Sequence, residues 1–320
     1  MWRLARWARK RGEKAVATTP TLRNPRTGET FSEPEGKSEL LKGTFFPTLP
    51  EADLQDIRGT AYNDQIELPL ITEREVHQAI LETPPMKSTG PDGIINKILH
   101  LASQQITPHL TRVFNQSLLL GYCPSHFRES LTVVLRKPGK DDYTIPKAYR
   151  PIALWNTIGK IIDAIIARRL SYLVETHQLL PQTHIGGRKA RSTEHAIHVI
   201  TEKIYEAWNK PSGQAASLLL LDVSGAFDNV SHERFLHNLR KRRVDEKTVK
   251  WIASFLTNRR TNIIVDRYKS KEYKTATGIP QGSPLSPILY LFYNADLIET
   301  CNRQPNTTAT GYIDDVAILR

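Results

Sequence analysis

Only two cysteines occur in 320 residues, Cys123 and Cys301, and they are not clustered. No disulfide framework and no thiolate zinc site can be built from them, and a reducing compartment suits such a chain. Long apolar runs are missing too: none approaches the ~20 residues of a membrane helix, and the four leucines Leu218 to Leu221 run straight into Asp222. No internal repeat is present, and no His or Cys cluster offers a metal site. What the chain does have is cationic charge, 44 Lys and Arg against 33 Asp and Glu, a net +11. That excess favours a polyanionic partner, either nucleic acid or an anionic membrane surface. An apolar content of 39% with 8% aromatics is that of a globular chain.

The first residues, with Trp2, Arg3, Arg6, Trp7, Arg9, Lys10 and Arg11 ahead of Glu13, match either an organellar transit segment or, the reading favoured here, a basic linker helix from a longer polyprotein. Residues 12–50 are rich in Pro, Gly, Thr and charge without periodicity and read as linker, so 1–69 as a whole is taken as basic and largely irregular. Thr72 and Glu75 form a capping box ahead of Val76, Ala79 and Ile80, with Pro84 and Pro85 closing that helix. A second helix is expected over 108–120 and a strand over Leu131–Leu135. Ile158, Ile161, Ile162, Ile165, Ile166 and Leu170 then make a buried helical stripe. Ser192 opens a helix carrying Ala196, Val199, Ile200 and Ile204. Two more, near 231–240 and 246–257, bury Phe235, Leu239, Trp251 and Phe255. Thr261–Val265 with Glu272–Thr275 reads as a hairpin, Pro284 and Pro287 start a helix through Leu297, and Thr308–Leu319 is a last hairpin. The class is mixed α/β (α+β).

Asp222 ends four consecutive leucines, which predicts a strand buried on both faces that delivers a carboxylate at its edge. Tyr312-Ile313-Asp314-Asp315 sets two more acids in a tight turn between apolar strands, a costly placement unless a cation neutralises them. Asp141-Asp142 is the internal control: an adjacent pair among polar neighbours, read as a solvated loop. Three acids on apolar strands suit two-metal phosphoryl transfer, which needs hard oxygen ligands.

At this point the chain resembles the reverse transcriptases of non-LTR retrotransposons, LINE-like elements of fungi in particular, over residues 70 to 320. Leu221-Asp222-Val223-Ser224-Gly225-Ala226-Phe227-Asp228 resembles polymerase motif A. Gly278-Ile279-Pro280-Gln281-Gly282-Ser283-Pro284-Leu285-Ser286-Pro287 resembles motif B, and Tyr312-Ile313-Asp314-Asp315 resembles motif C. Upstream, Ser88-Thr89-Gly90-Pro91-Asp92-Gly93 is similar to an extra N-terminal motif of the non-LTR enzymes. Lys137-Pro138-Gly139-Lys140 and Tyr149-Arg150-Pro151-Ile152 are similar to fingers strands, and Arg191-Ser192-Thr193 to the next fingers motif. Gly186-Gly187 departs from the family's Gly-Phe.

The resemblance implies a right-hand polymerase fold with fingers at 70–215 and palm at 216–320, truncated after motif C with no thumb and no endonuclease domain. It implies an RNA-directed DNA polymerase working with two Mg²⁺ ions, Mn²⁺ substituting, on an RNA template, a DNA primer and dNTPs, with no membrane partner. Asp222 and Asp314 would bridge the metals, the Val223 carbonyl would add a ligand, and Asp315 would stand close by or just behind. Phe227 would exclude a 2′-hydroxyl or else serve only as a core ring. Lys137 and Arg150 would grip the triphosphate, and Gln281 and Gly282 would lie by the templating pair. Arg240-Lys241-Arg242-Arg243 would track phosphates, signal nuclear import or simply be solvated. A truncated copy of low activity is expected. The rivals are a non-catalytic nucleic-acid-binding relic and an organellar intron-type enzyme with maturase activity. The compartment follows the reading: a nuclear or cytoplasmic ribonucleoprotein, or the mitochondrion.

Overall fold

In a computed structural model, residues 18–320 are described apart from Leu49, Glu51, Ser212 and Ser224. The N-terminal helix or transit segment, and Ser224 of the first polymerase-like motif, therefore lie outside the described residues. The remainder is mixed α/β, as the periodicities require.

A short ribbon, β1 (Leu22–Arg23) with β2 (Thr30–Phe31), leads into α1 (Pro34–Phe45). This corrects the reading of residues 12–50 as linker. Leu22, Leu41 and Phe45 are buried against Ala148, Tyr149 and Val265 in a small core of their own, and a nearly buried Lys37 pairs with Asp266 at 2.9 Å. Few apolar residues serve this helix, and their partners lie more than a hundred positions away, so no local pattern announces it.

The capping box is formed: Thr72 accepts from Glu75 N–H while the Glu75 carboxylate accepts from Thr72 N–H, opening α2 (Glu73–Leu81). Arg169 grips the same Glu75, pulling its carboxyl down to about 2 despite burial. After α3 (Asn96–Leu101), α4 (Ser103–Leu119) starts five residues earlier than expected, with Pro108 inside it. The hydroxyls of Thr107 and Thr111 donate to carbonyls one turn back and support the helix on either side of the proline. β3 (Glu129–Arg136) and β4 (Tyr149–Trp155) form an antiparallel pair. The long α5 (Thr157–His177) buries the isoleucine stripe. Its start is clamped by Asp92, which accepts from Thr157 N–H at 2.7 Å, so the Ser88–Gly93 loop has a structural job.

Ser192 caps α6 (Thr193–Trp208), of which Ala196 alone among the described residues is buried. β5 (Leu218–Asp222) follows, then α7 (His232–Lys241) and α8 (Glu246–Leu256), which bury Phe235, Leu239, Trp251 and Phe255 as expected. β6 (Arg259–Val265) pairs with β8 (Tyr273–Thr275), and also with an unforeseen β7 (Tyr268–Lys269) across the Asp266-Arg267 turn. α9 (Ser286–Asn302) and the hairpin β9 (Thr308–Tyr312) and β10 (Asp315–Leu319) complete the chain.

Two larger sheets result: a five-stranded one in the order β4-β3-β6-β7 with β8 also on β6, and a three-stranded one in the order β5-β10-β9. β3 and β6 run parallel, so strands from either side of residue 216 share one sheet. The second sheet brings a correction. β5 lies at its edge, and Leu218, Leu219 and Leu220 are 46%, 55% and 70% exposed rather than buried on both faces. A run of leucines marks a strand that wants cover; it does not supply the layer that covers it.

Candidate active site

β5 and β10 pair so that Asp222 stands opposite Asp315, which in turn stands opposite Tyr312 on β9. Directly opposed residues share a face, with Cβ atoms about 4.5–5.5 Å apart. Two acids therefore sit side by side at the strand ends, and Asp314 follows Ile313 in the turn above them. Asp222 and Asp315 are exposed and Asp314 is half-buried. Burial pushes the Asp314 carboxyl above its usual range, and the Asp315 and Asp222 charges push it further, with Arg150 opposing. Among the described residues no group of three or more His, Cys, Asp or Glu side chains converges into a ready metal cage. The donor set is nevertheless all hard oxygen, and its members repel one another, which is the condition a divalent cation relieves. Val223 is half-buried against the main core.

Cations face these acids from the other sheet. The Leu135–Arg150 register and the Lys137 N–H bond to the Ala148 carbonyl at 2.8 Å hold Lys137 and Arg150 at one end of the β3–β4 pair. Burial, then Arg150 and Lys140, pull the Lys137 ammonium below its ordinary range, against the pull of Asp228 and Asp222. Arg150 is exposed, and among the described residues no carboxylate lies within ion-pair distance of it. Asp141-Asp142, by contrast, is a turn: Asp142 accepts from Thr144 N–H and its hydroxyl.

The loop 277–283 closes the space between the sheets. Ile279 N–H donates to the Phe227 carbonyl at 2.7 Å, and Ala153 N–H on β4 donates to the Gln281 carbonyl at 2.8 Å. Gly282 has φ +113, and a Cβ there would stand 2.6 Å from the Ala153 carbonyl oxygen, so only glycine lets loop and strand approach this closely. The Gln281 amide donates to Asp228 at 3.3 Å. Arg259, fully buried, donates to the Thr277 and Gly278 carbonyls, and burial lowers its guanidinium to about 10. Phe227 is half-buried and stacks on Tyr290 of α9, ring centroids 5.1 Å apart at 20°.

Three charged residues here were not foreseen as site residues. Burial raises Asp228 to about 6, with Gln281 and Lys137 opposing. Asp163 is buried under the same loop, accepts from the Ser283 hydroxyl at 2.7 Å, and is raised to about 7 by desolvation. The third is Arg259. For Asp163 a signal existed, a lone acid inside a stripe of isoleucines.

The Arg240–Arg243 run lies elsewhere and is not a free row of cations. Arg240 pairs with Glu246, Lys241 with Asp296, and buried Arg242 with Asp296 and Glu299, while Arg243 donates to the Asp64 carbonyl. These contacts tie α7 to α8, α9 and the segment before α2. Arg191 likewise turns inward, to the Gln182 carbonyl and side-chain oxygens.

Residues 135–320 match the family model described as reverse transcriptase (RNA-dependent DNA polymerase). Across its whole length the chain is 31% identical to the RNA-directed DNA polymerase from mobile element jockey of Drosophila melanogaster, of which it spans 35%. It is 30% identical, over 76% of its length, to the probable RNA-directed DNA polymerase from transposon X-element of the same fly, spanning 26% of that protein. It is 28% identical, over 72%, to the Pol polyprotein of the type-1 retrotransposable element R2 of Nasonia vitripennis, spanning 22%. All three come from insects and lend nothing to a fungal affinity. With the family model matching more than half its length, this chain belongs to the reverse transcriptase family.

Proposed function

We propose that the chain is the polymerising core of a non-LTR retrotransposon's RNA-directed DNA polymerase, joining a dNTP to a primer 3′-hydroxyl on an RNA template in a fingers–palm arrangement. The observation that carries this reading is the register that sets Asp222 against Asp315, with Asp314 in the turn, across from Lys137 and Arg150. Asp222, Asp314 and Asp315, with the Val223 carbonyl, would hold Mg²⁺ or Mn²⁺, two ions on this reading. Such ions lower the pKa of the attacking hydroxyl and neutralise charge on the leaving pyrophosphate.

The chain's own residues do the rest. Arg150, exposed and without an acid partner in ion-pair range among the described residues, is placed to take triphosphate oxygens, and the half-desolvated Lys137 adds a second cation beside it. Phe227, braced from below by Tyr290, offers a rigid ring against the sugar, which disfavours a 2′-hydroxyl. Gln281 is oriented by Asp228 and lies with Gly282 where a templating base pair would pack. Nucleic acid is the polyanion that the net charge favours, so binding should weaken steeply with salt.

The test is extension of a DNA primer on an RNA template by the natural longer protein, with Mg²⁺. Asp222→Asn and Asp314→Asn are each expected to abolish extension while leaving nucleic-acid binding within about threefold, because base and phosphate contacts do not run through the acids. Extension by Asp314→Asn at the unsubstituted rate would sink the assignment.

A further inference from the structure

The catalytic turn contains a residue in a conformation its side chain opposes. Ile313 has φ +59, in the left-handed region, where a β-branched side chain crowds its own backbone. Left to local preference, Ile313 would leave that region, and Asp314 and Asp315, the next two residues, would turn with it. Strained backbone persists only where its surroundings over-determine it, and here they do so from two sides.

On one side lies α9. Asn294, buried on the helix that also carries Tyr290, donates from its amide to the Ile313 carbonyl at 3.4 Å. On the other lies the 183–187 loop, laced to β9: Gly311 N–H donates to the Thr183 carbonyl at 3.0 Å, and Ile185 N–H donates to the Gly311 carbonyl at 2.7 Å. The loop then presses on the turn. A Cβ on Gly186 would stand 2.5 Å from Ile313 N and 2.7 Å from the Tyr312 carbonyl carbon, so the backbones touch as only glycine allows. His184, wholly buried, packs beside Gly311 and faces the Ile313 carbonyl without reaching an ordinary hydrogen bond. Its burial next to Arg188 and Arg242 holds it neutral, with the imidazolium form disfavoured down to about 3.

We infer that Asn294 and Gly186, with His184 behind them, are positioning residues: a clamp that holds Ile313 left-handed and thereby aims Asp314 and Asp315 at the divalent ions. Their effect passes through the backbone of the Tyr312–Ile313 turn, and that makes it separable from a general role in packing. The inference rests on the reading of Asp222, Asp314 and Asp315 as metal-holding acids.

Glycine at position 313 needs no clamp, since it adopts φ near +60 without cost. The experiment is a double-mutant cycle read by Mn²⁺ affinity, measured by electron paramagnetic resonance on the full chain with Mn²⁺ alone. Residues that orient metal ligands typically change affinity 10–100-fold when altered, so Asn294→Leu is expected to weaken Mn²⁺ at least about tenfold. In an Ile313→Gly background the same Asn294→Leu change is expected to cost less than about twofold, the deficit from additivity being the coupling between the two positions. Asn294→Ala removes the same amide donor without adding bulk and should show the same dependence on residue 313; it serves if Asn294→Leu does not fold. Equal losses in both backgrounds, or no loss in either, would overturn the clamp. Asp314→Asn is the separate control: Mn²⁺ affinity unchanged by that substitution would mean that the metal assignment itself has failed.

Discussion

The two large sheets differ at their edges: the three-stranded one buries β9 and β10 but leaves the leucines of its edge strand β5 exposed, while the five-stranded one has a closed centre. In the five-stranded sheet β6 alternates buried and less buried residues, Ile263 is wholly enclosed, and Thr132 and Thr261 share a 2.7 Å hydroxyl bond between strands. α1 packs over part of it, and Arg259 ties it to the loop 277–283. In the three-stranded sheet β10 is central and largely buried, but the leucines of β5 stand open at the edge. An exposed apolar edge strand is ordinarily a liability, because its free N–H and C=O groups and bare side chains invite another chain. The comparison teaches that the two sheets have different tasks. The five-stranded sheet fixes Lys137, Arg150 and the loop 277–283; the three-stranded one sets Asp222 and Asp315 at exposed strand ends.

The largest effect that would test this contrast is Ile263→Ala, expected to destabilise the fold by ~3–5 kcal/mol, since it opens a cavity in a closed layer. Urea denaturation measures it, and a loss under ~1 kcal/mol would mean the five-stranded sheet is not the better packed one. Next comes Asp163, under the loop that joins the sheets. Its pKa of about 7 when folded stands against an ordinary 3.8. Between those values the folded chain keeps a proton that the unfolded chain has released, so stability falls as pH rises from about 4 to about 7. A shift of about three units corresponds to ~4 kcal/mol, and allowing for relaxation on ionisation, Asp163→Asn should gain ~2–3 kcal/mol at pH 8 and almost nothing at pH 4. A pH-independent difference between the two proteins would show that Asp163 is not the group responsible. The smallest effect belongs to the open sheet. Leu220→Ala on β5 should change stability by no more than ~0.5 kcal/mol, as surface substitutions do, while lowering self-association in light scattering. A cost matching that of Ile263→Ala would show that β5 is covered in solution after all.

Much of the helical framework was legible because its signals are local. The Thr72–Glu75 capping box, the isoleucine stripe of α5 and the buried faces of α7 and α8 each depend on residues within a few turns of one another. α1 was not legible, because Leu41 and Phe45 gain their cover from Tyr149 and Val265, far along the chain. The four-residue basic run misled for a similar reason: a row of cations in sequence says nothing of Glu246, Asp296 and Glu299, which engage three of its members from α8 and α9.

For the site, residue type and order alone singled out Asp222, Asp314 and Asp315, because acids at the ends of apolar strands have few uses besides holding a cation. Lys137, Arg150, Phe227 and Gln281 came from the resemblance. What sequence could not supply was the environment of each group. Asp228 and Asp163 owe their raised pKa values to burial, and burial is a property of the closed fold. Ile313 looks like one more apolar residue until the backbone shows it left-handed, held there by Asn294 on a helix and Gly186 on a loop. Local chemistry thus determined which residues can act. Tertiary packing decided how they are aimed, because aim is set by contacts between segments that no short window of sequence contains.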